Sequence, residues 1–321
     1  MNALTRDLVK LVETAEQSQK TREELSVSDR KFREKLHLMP PVGWLNDPNG
    51  LCQFQGIYHA FFQYSPFNAE GGVKMWGHYT SKDMIKWEYQ GTALYPDQPF
   101  DCHGVYSGSA FIEDGKMYLY YTGNVKLEDG EYDYIRTGRE GNTVLVITED
   151  GKTFGKKKEL MRNSDYPDDL TCHVRDPKVW KENGTYYMVQ GARTNKDVGQ
   201  VLVFESEDKV NWKFRNRVES EKPFGYMWEC PDYFKIGDKK LLSTSVQGLE
   251  GAVGILNSNK AKVVDRFSDI SSETEELAAS SQDILGKVDQ QSVEMENIHT
   301  AIESLHNVVT KLNEIMDQFT V

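Results

Sequence analysis

A hairpin-forming unit recurs four times, starting near Asn46, Ser107, Arg175 and Glu229, at separations of 61, 68 and 54 residues. The units are built from aromatic and β-branched runs broken by turn residues. They include GIYHAFFQY (56–64), SAFIEDGKMYLYYTG (109–123) around Asp114-Gly115, PKVWKENGTYYMVQGA (177–192) around Asn183-Gly184, and PDYFKIGDKKLLSTSV (231–246) around Gly237-Asp238. A second unit alternates with them: SKDMIKWEY (81–89), TEDGKTFGK (148–156) and SEDKVNWKF (206–214), each a polar turn followed by an aromatic residue. A period of this size, with about four short strands per repeat, predicts a mainly β chain of the β-propeller type. An irregular antiparallel β-domain is the alternative.

The repeats end near Gly251, and composition changes there. Residues 1–251 hold all 10 Pro, 6 Trp, 16 Tyr and 4 Cys and 23 of the 25 Gly. The overall charge of −12 divides into −5 for this front part and −7 for residues 252–321, which carry 5 Lys+Arg against 12 Asp+Glu. An acidic balance argues against a nucleic-acid partner. No run approaches 18 apolar residues, so no membrane-spanning helix is expected. Cys52, Cys102, Cys172 and Cys230 are widely spread and read as free thiols or buried small residues in a reducing compartment. The N-terminus lacks an apolar h-region, so a cytoplasmic location is expected. Three segments follow: a helical extension over 1–30 with Leu4, Leu8 and Leu11 at helical spacing, a β-domain over 31–251, and a tail over 252–321.

The tail carries a heptad. Alternate steps of 4 and 3 from Ile270 reach Phe319, and 12 of the 15 positions visited are apolar, among them Ile284, Val288, Met295 and Ile302. This predicts a long helix of coiled-coil type, with self-association as its consequence. Gly286 weakens it locally by about 1 kcal/mol relative to Ala.

Three acidic residues stand at starts of the hairpin units: Asp47 in GWLNDPNGL (43–51), Asp176 in HVRDPKVW (173–180) and Glu229 in YMWECPDYF (226–234). Pro and aromatic neighbours set them apart from a solvated surface. In a propeller, equivalent strand starts converge on a central channel, so the three can meet. Close carboxylates suit glycoside hydrolysis, one attacking the anomeric carbon and another protonating the leaving oxygen. Repulsion between like charges separates their pKa values. Trp44, Trp76 and Trp228 offer faces on which sugars stack. Taken singly, an Asp-Pro pair is a turn former. His59, His78, His103 and His173 share no metal-ligand spacing, and neither a metal nor a cofactor is called for. Lys156-Lys157-Lys158 reads as a solvated turn, and Cys230 as a packed small residue.

The ordered motifs WLNDPNG (44–50), FFQYSPF (61–67), MWGHYTSKDMIKW (75–87), YSGSAF (106–111), YTGN (121–124), RDPKVW (175–180) and YMWECPDYF (226–234) resemble glycoside hydrolase family 32, the invertases and β-fructofuranosidases. GWLNDPNG with YMWECPD is most similar to its bacterial sucrose-6-phosphate hydrolase branch. The resemblance spans roughly residues 31–250 and implies a five-bladed propeller and a retaining mechanism on sucrose or sucrose 6-phosphate. It implies Asp47 as nucleophile, Glu229 as general acid/base and Asp176 as a transition-state stabiliser that binds fructose hydroxyls. Trp44, Leu45, Asn46, Gln63, Tyr106, Ser107 and Arg175 match fructose-pocket positions. Retention implies carboxyl groups of Asp47 and Glu229 about 5–5.5 Å apart. The segment NAEGGVKMWGH (68–78) departs from the family pattern, in which a Trp or His falls near Gly71 or Gly72.

After LLSTSVQGLEG (241–251) the family pattern stops. The expectation is therefore an incomplete propeller, lacking its last blade and the C-terminal β-sandwich, followed by the helical tail. That tail is similar to the C-terminal end of a methyl-accepting chemotaxis receptor. Unpaired strand edges would remain where the ring should close. An error of about 1 Å among catalytic groups costs about 10²-fold in rate, so impaired activity is expected. The alternative function is an oligomerising, signalling or sugar-binding chimera without catalysis.

Overall fold

The computed structural model describes residues 3–25, 31, 33–34, 37–222 and 224–248, together with most positions from 280 to 311. Two compact units make up the chain, Met1–Leu249 and Glu250–Val321.

The first unit is mainly β. Strands β1 (Trp44–Phe54), β2 (Ile57–Ser65), β3 (Met75–Ser81) and β4 (Trp87–Leu94) form one antiparallel sheet in sequence order. A second contains β5 (Val105–Glu113), β6 (Lys116–Lys126), β7 (Arg139–Thr148) and β8 (Lys158–Met161). A third contains β9 (Leu170–Glu182), β10 (Thr185–Thr194), β11 (Gly199–Ser206) and β12 (Lys213–Val218). Of a fourth, the described residues include the hairpin β13 (Met227–Ile236) and β14 (Lys239–Gln247). The sequence pattern leaves out only a final blade, whereas this fourth sheet shows two strands among the described residues. Strands β1, β5, β9 and β13 open the four sheets, and successive members of this set lie against one another. This is the blade arrangement that the recurring units predicted.

Both repeats have local causes. Asp114-Gly115 and Asn183-Gly184 turn with positive φ at each residue, the geometry that matches strand twist in a two-residue hairpin. The alternating unit is a Ser/Thr-x-Asp turn joining the third and fourth strands of each complete sheet. Ser81, Thr148 and Ser206 contact Asp83, Asp150 and Asp208 at 3.0, 3.1 and 3.0 Å. Each aspartate then accepts backbone N–H groups two and three residues on. The backbone donors hold all three carboxyls below their ordinary range.

Apolar side chains fill the spaces between the sheets. Phe61 and Trp76 of the first sheet pack with Met117, Leu119, Tyr121 and Val144 of the second. Tyr120 and Leu145 pack with Val179, Met188, Leu202 and Phe204 of the third. Val189 and Val201 meet Trp228 of the fourth. Gly191 permits the last approach, because a Cβ there would stand 1.9 Å from the Trp228 carbonyl oxygen.

The N-terminal helix α1 (Ala3–Leu25) is docked on the first sheet. Leu4 and Leu11 are exposed, and the contact is made by Leu8 and by Val12, which packs with Phe62, Tyr64 and Met75. Glu16 accepts hydrogen bonds from the hydroxyls of Tyr64 at 3.0 Å and Tyr89 at 2.8 Å. One expectation changes: Lys157, read as part of a solvated turn, has its side chain largely shielded, with Nζ 2.8 Å from Asp97 and 2.6 Å from the fully buried Asp101, whose carboxylate also accepts from Tyr121. Two carboxylates compensate the shielded ammonium, so the run of three lysines hides one with a structural partner set.

In the second unit, every described residue from 280 to 311 is helical. The described heptad positions Ile284, Val288, Met295 and Ile302 are exposed on it. The heptad positions from Ile270 to Leu277 and from Leu312 to Phe319 lie outside the described residues. No helix among the described residues is long and apolar enough to cross a membrane.

Candidate active site

A break in strand pairing marks each sheet's opening strand at the residues singled out by sequence. Asp47 is the unopposed residue between the pairs Asn46–Gln63 and Pro48–Phe62. Tyr106 and Ser107 lie in the break between Val105 and Gly108. Asp176 and Pro177 lie between Arg175 and Lys178, and Cys230 and Pro231 between Glu229 and Asp232. These are β-bulges, which re-aim side chains at the rim of a sheet. Pro48, Pro177 and Pro231 have no N–H to lose where the ladder is interrupted. The Asp-Pro pairs are thus bulges within strands, not turns. Asp176 and Cys230 have φ of 64° and 46°, left-handed values that non-glycine residues adopt under constraint.

The bulges bring the side chains together. Ser107 donates to Asp47 Oδ2 at 2.6 Å, and Gln63 donates to the same oxygen at 3.4 Å and to Ser107. Gln63 in turn accepts from Asn46 at 3.1 Å, and Asn46 accepts from Trp44 Nε1 at 2.7 Å. Asn49 ties the first two sheets by accepting the Gly108 N–H at 3.0 Å. On the third sheet, Asp176 is buried; its Oδ2 accepts the Cys230 N–H at 2.8 Å, and its own N–H donates to Thr122 at 2.9 Å. Arg175 hydrogen-bonds Glu229 Oε1 and His173 Nδ1. Cys230 Sγ lies 3.9 Å from Asp47 Oδ2, which links the first and fourth sheets through one atom pair. A cavity of 110 Å³ lies against these groups, lined by Asn49, Ser107, Asp176, Lys178 and Cys230 among others.

Six of the seven pocket residues from the sequence reading therefore stand around the three carboxylates: Trp44, Asn46, Gln63, Ser107 and Arg175 through hydrogen bonds, and Tyr106 on the second bulge. Leu45 instead packs against the cluster of Val12, Phe62, Tyr64 and Met75. Lys74 was not singled out by sequence, and Cys230 was read there only as a packed small residue. Lys74 stands with Nζ 5.1 Å from the Trp44 ring centre, in the segment that departs from the family pattern. Its ammonium is pushed down by burial and supported by the charge of Asp47. Cys230 is exposed, not packed. Desolvation of its sulfur, with Asp176, Asp47 and Glu229 nearby, keeps the thiol neutral. The proline after it was the available signal, because it repeats the pattern of the two Asp-Pro pairs. The histidines have structural partners: His59 and His78 hydrogen-bond at 2.9 Å inside the first sheet, and His103 lies 3.5 Å from Glu128.

Burial pushes the Asp176 carboxyl up to about 6; Arg175 and the Cys230 N–H oppose the rise, while Glu229 and Asp47 add to it. The folded protein therefore binds this proton more tightly than the unfolded chain does. The associated stability is full below about pH 3.8 and is lost as pH rises towards 6, in total about 3 kcal/mol. Asp176→Asn, uncharged throughout, is expected to be more stable than the parent at pH 8 and equal to it near pH 4. Denaturant unfolding at the two pH values measures this; the same difference at both would show that the buried charge is not responsible.

Carboxylates gathered on the opening strands of successive antiparallel β-sheets are the arrangement found in glycoside hydrolases built from β-propeller blades. The chain belongs to glycosyl hydrolases family 32: its residues 37–298 match the N-terminal domain of that family. It is 44% identical over 223 residues to sucrose-6-phosphate hydrolase of Bacillus subtilis, covering 68% of this chain and 44% of the relative. It is 44% identical over 215 residues to raffinose invertase of Escherichia coli, covering 67% and 44%. Among solved structures it is similar to sucrose-6-phosphate hydrolase from Lactobacillus gasseri, with a TM-score of 0.67 and 31% identity over 75% of this chain and 47% of that one. A Bombyx mori β-fructofuranosidase gives 0.61 and 35%, covering 74% and 49%. The chain thus spans less than half the length of these relatives. The family match runs past residue 250, where the sequence motifs end.

Proposed function

We propose that this chain is a retaining β-fructofuranosidase acting on sucrose or sucrose 6-phosphate. The observation that carries the reading is the convergence of Asp47, Asp176 and Glu229 from three sheets onto one bulged channel wall. In the first step the Asp47 carboxylate attacks C2 of the fructosyl unit. The C2–O bond breaks as Glu229 gives its proton to the departing oxygen. In the second step Glu229 takes a proton from water, the water oxygen bonds to C2, and Asp47 leaves with its electron pair. Ser107 and Gln63 orient the Asp47 oxygen. Asp176, fixed by Cys230 and Thr122, is placed to accept hydrogen bonds from sugar hydroxyls. Relatives named sucrose-6-phosphate hydrolase and raffinose invertase support the substrate class.

Incubation with sucrose or sucrose 6-phosphate in aqueous methanol tests the reading. Methyl β-fructofuranoside beside fructose is expected, because methanol intercepts the fructosyl-enzyme on the face that water uses. The α anomer would overturn retention, and no release of fructose from either substrate would overturn the activity. Self-association through residues 252–321 is a separate proposal, supported by the exposed Ile284, Val288, Met295 and Ile302. Sedimentation equilibrium is expected to give a concentration-dependent rise in mass, and a constant monomer mass would sink the proposal.

A further inference from the structure

Among the arginines with described side chains, one at the rim of the candidate site has no acceptor. Every other arginine with a described side chain meets a carboxylate or, for Arg33, a pair of backbone carbonyls. Arg139 meets none among the described residues, and its Nε is sealed from solvent without a partner. Burial lowers its pKa, and no carboxylate is among the causes that oppose this. A desolvated, uncompensated guanidinium is unfavourable in the free protein. Such a group calls for an explanation, and a bound ligand is one.

Its position indicates the ligand's side of the channel. Arg139 opens β7 and pairs with Lys126 at the end of β6, the same end of the sheet at which Tyr106 and Ser107 begin β5. Two residues on, Gly141 is pressed against the third sheet: a Cβ there would lie 2.5 Å from the Val174 carbonyl oxygen. The start of β7 is thereby held beside His173 and Arg175, and the charge of Arg175 acts on the Arg139 guanidinium. Arg175 is itself bonded to Glu229. In the proposed reaction Glu229 protonates the departing oxygen, so the departing sugar occupies this side, with Asp47 on the opposite face of the fructosyl ring. Of the other nearby cations, Arg175 has Glu229 and Asp176, Arg193 has Asp197 at 2.8 Å, and Lys74 lies over the Trp44 ring under the charge of Asp47. His173 is held neutral by burial and by the surrounding arginines.

We propose that Arg139 is a specificity-determining residue that binds a phosphate ester on the departing sugar and so selects sucrose 6-phosphate over sucrose. This rests on the fructosidase reading above. A guanidinium fork matches two oxygens of a phosphate, whereas a neutral sugar leaves it unpaired.

The test compares the parent chain with Arg139→Ala and Arg139→Lys on both substrates. Arg139→Ala is expected to raise KM for sucrose 6-phosphate by about 30-fold or more, the effect of losing a charge-assisted pair. The change on sucrose is expected to stay within about threefold, and Arg139→Lys to fall between, because it keeps the charge and loses the fork. A parallel loss on both substrates, or no change on either, overturns the proposal. If the parent releases fructose from neither substrate, the fructosidase reading fails, and calorimetric titration with glucose 6-phosphate and glucose then decides the role of Arg139. Tighter binding of the phosphorylated sugar that disappears in Arg139→Ala supports the anion site; equal binding of the two sugars overturns it.

Discussion

Asp47→Asn is expected to lower kcat for fructose release by about 10⁴-fold, with KM changed by only a few-fold. An amide cannot form the fructosyl ester, so the first step loses its nucleophile while the sugar-binding groups remain. The substitution keeps shape, and the hydroxyl of Ser107, now 2.6 Å from the carboxylate oxygen, can rotate to accept as well as donate. The thermal midpoint is therefore expected to move by no more than about 2 °C, within the range of a surface change. The measurement is steady-state release of fructose from sucrose and sucrose 6-phosphate, with melting of both proteins beside it. Activity within tenfold of the parent would remove Asp47 from the nucleophile's role. A large fall in the midpoint would instead assign it to the support of the first sheet.

Glu229→Gln is expected to slow sucrose cleavage by about 10²–10⁴-fold, the usual contribution of a positioned general acid. The stronger prediction is a contrast between substrates. The oxygen leaving sucrose must be protonated as C2–O breaks, whereas fluoride leaving β-fructofuranosyl fluoride needs no proton. Formation of the fructosyl-enzyme from the fluoride should thus be nearly as fast in Glu229→Gln as in the parent, with hydrolysis of that intermediate slowed for want of a base. A burst of fluoride followed by slow turnover is the expected trace. Equal damage to sucrose and fluoride cleavage would mean that Glu229 acts through Arg175, its hydrogen-bond partner, by positioning the pocket.

Much of this architecture was legible because its causes are local. Hairpins at Asp114-Gly115 and Asn183-Gly184 follow from residues that tolerate positive φ, and the Ser/Thr-x-Asp turns need only three or four consecutive residues. Recurrence of both at blade-sized intervals carries the β-propeller class without any knowledge of contacts. Asp47, Asp176 and Glu229 stood out because proline and aromatic neighbours are unusual for exposed carboxylates. Leu45 was harder to place: strand alternation puts it on the face opposite its neighbours Trp44 and Asn46, against Val12 and Phe62. The docking of α1 was also hidden, since Val12 gains its meaning from Phe62, Tyr64 and Met75, some 50 to 63 residues away.

The chain by itself determined the strands, their turns, the three carboxylates and the family to which they belong. Tertiary structure alone decided that the Asp-Pro and Cys-Pro pairs are bulges, that the Lys157 ammonium sits between two aspartates, and that Cys230 Sγ lies 3.9 Å from Asp47. It alone left the Nε of Arg139 buried without a partner among the described residues. The physical reason is range. Propensity and turn chemistry act within a few residues, whereas desolvation and ion pairing depend on which sheet arrives beside which, over separations of 50 residues and more.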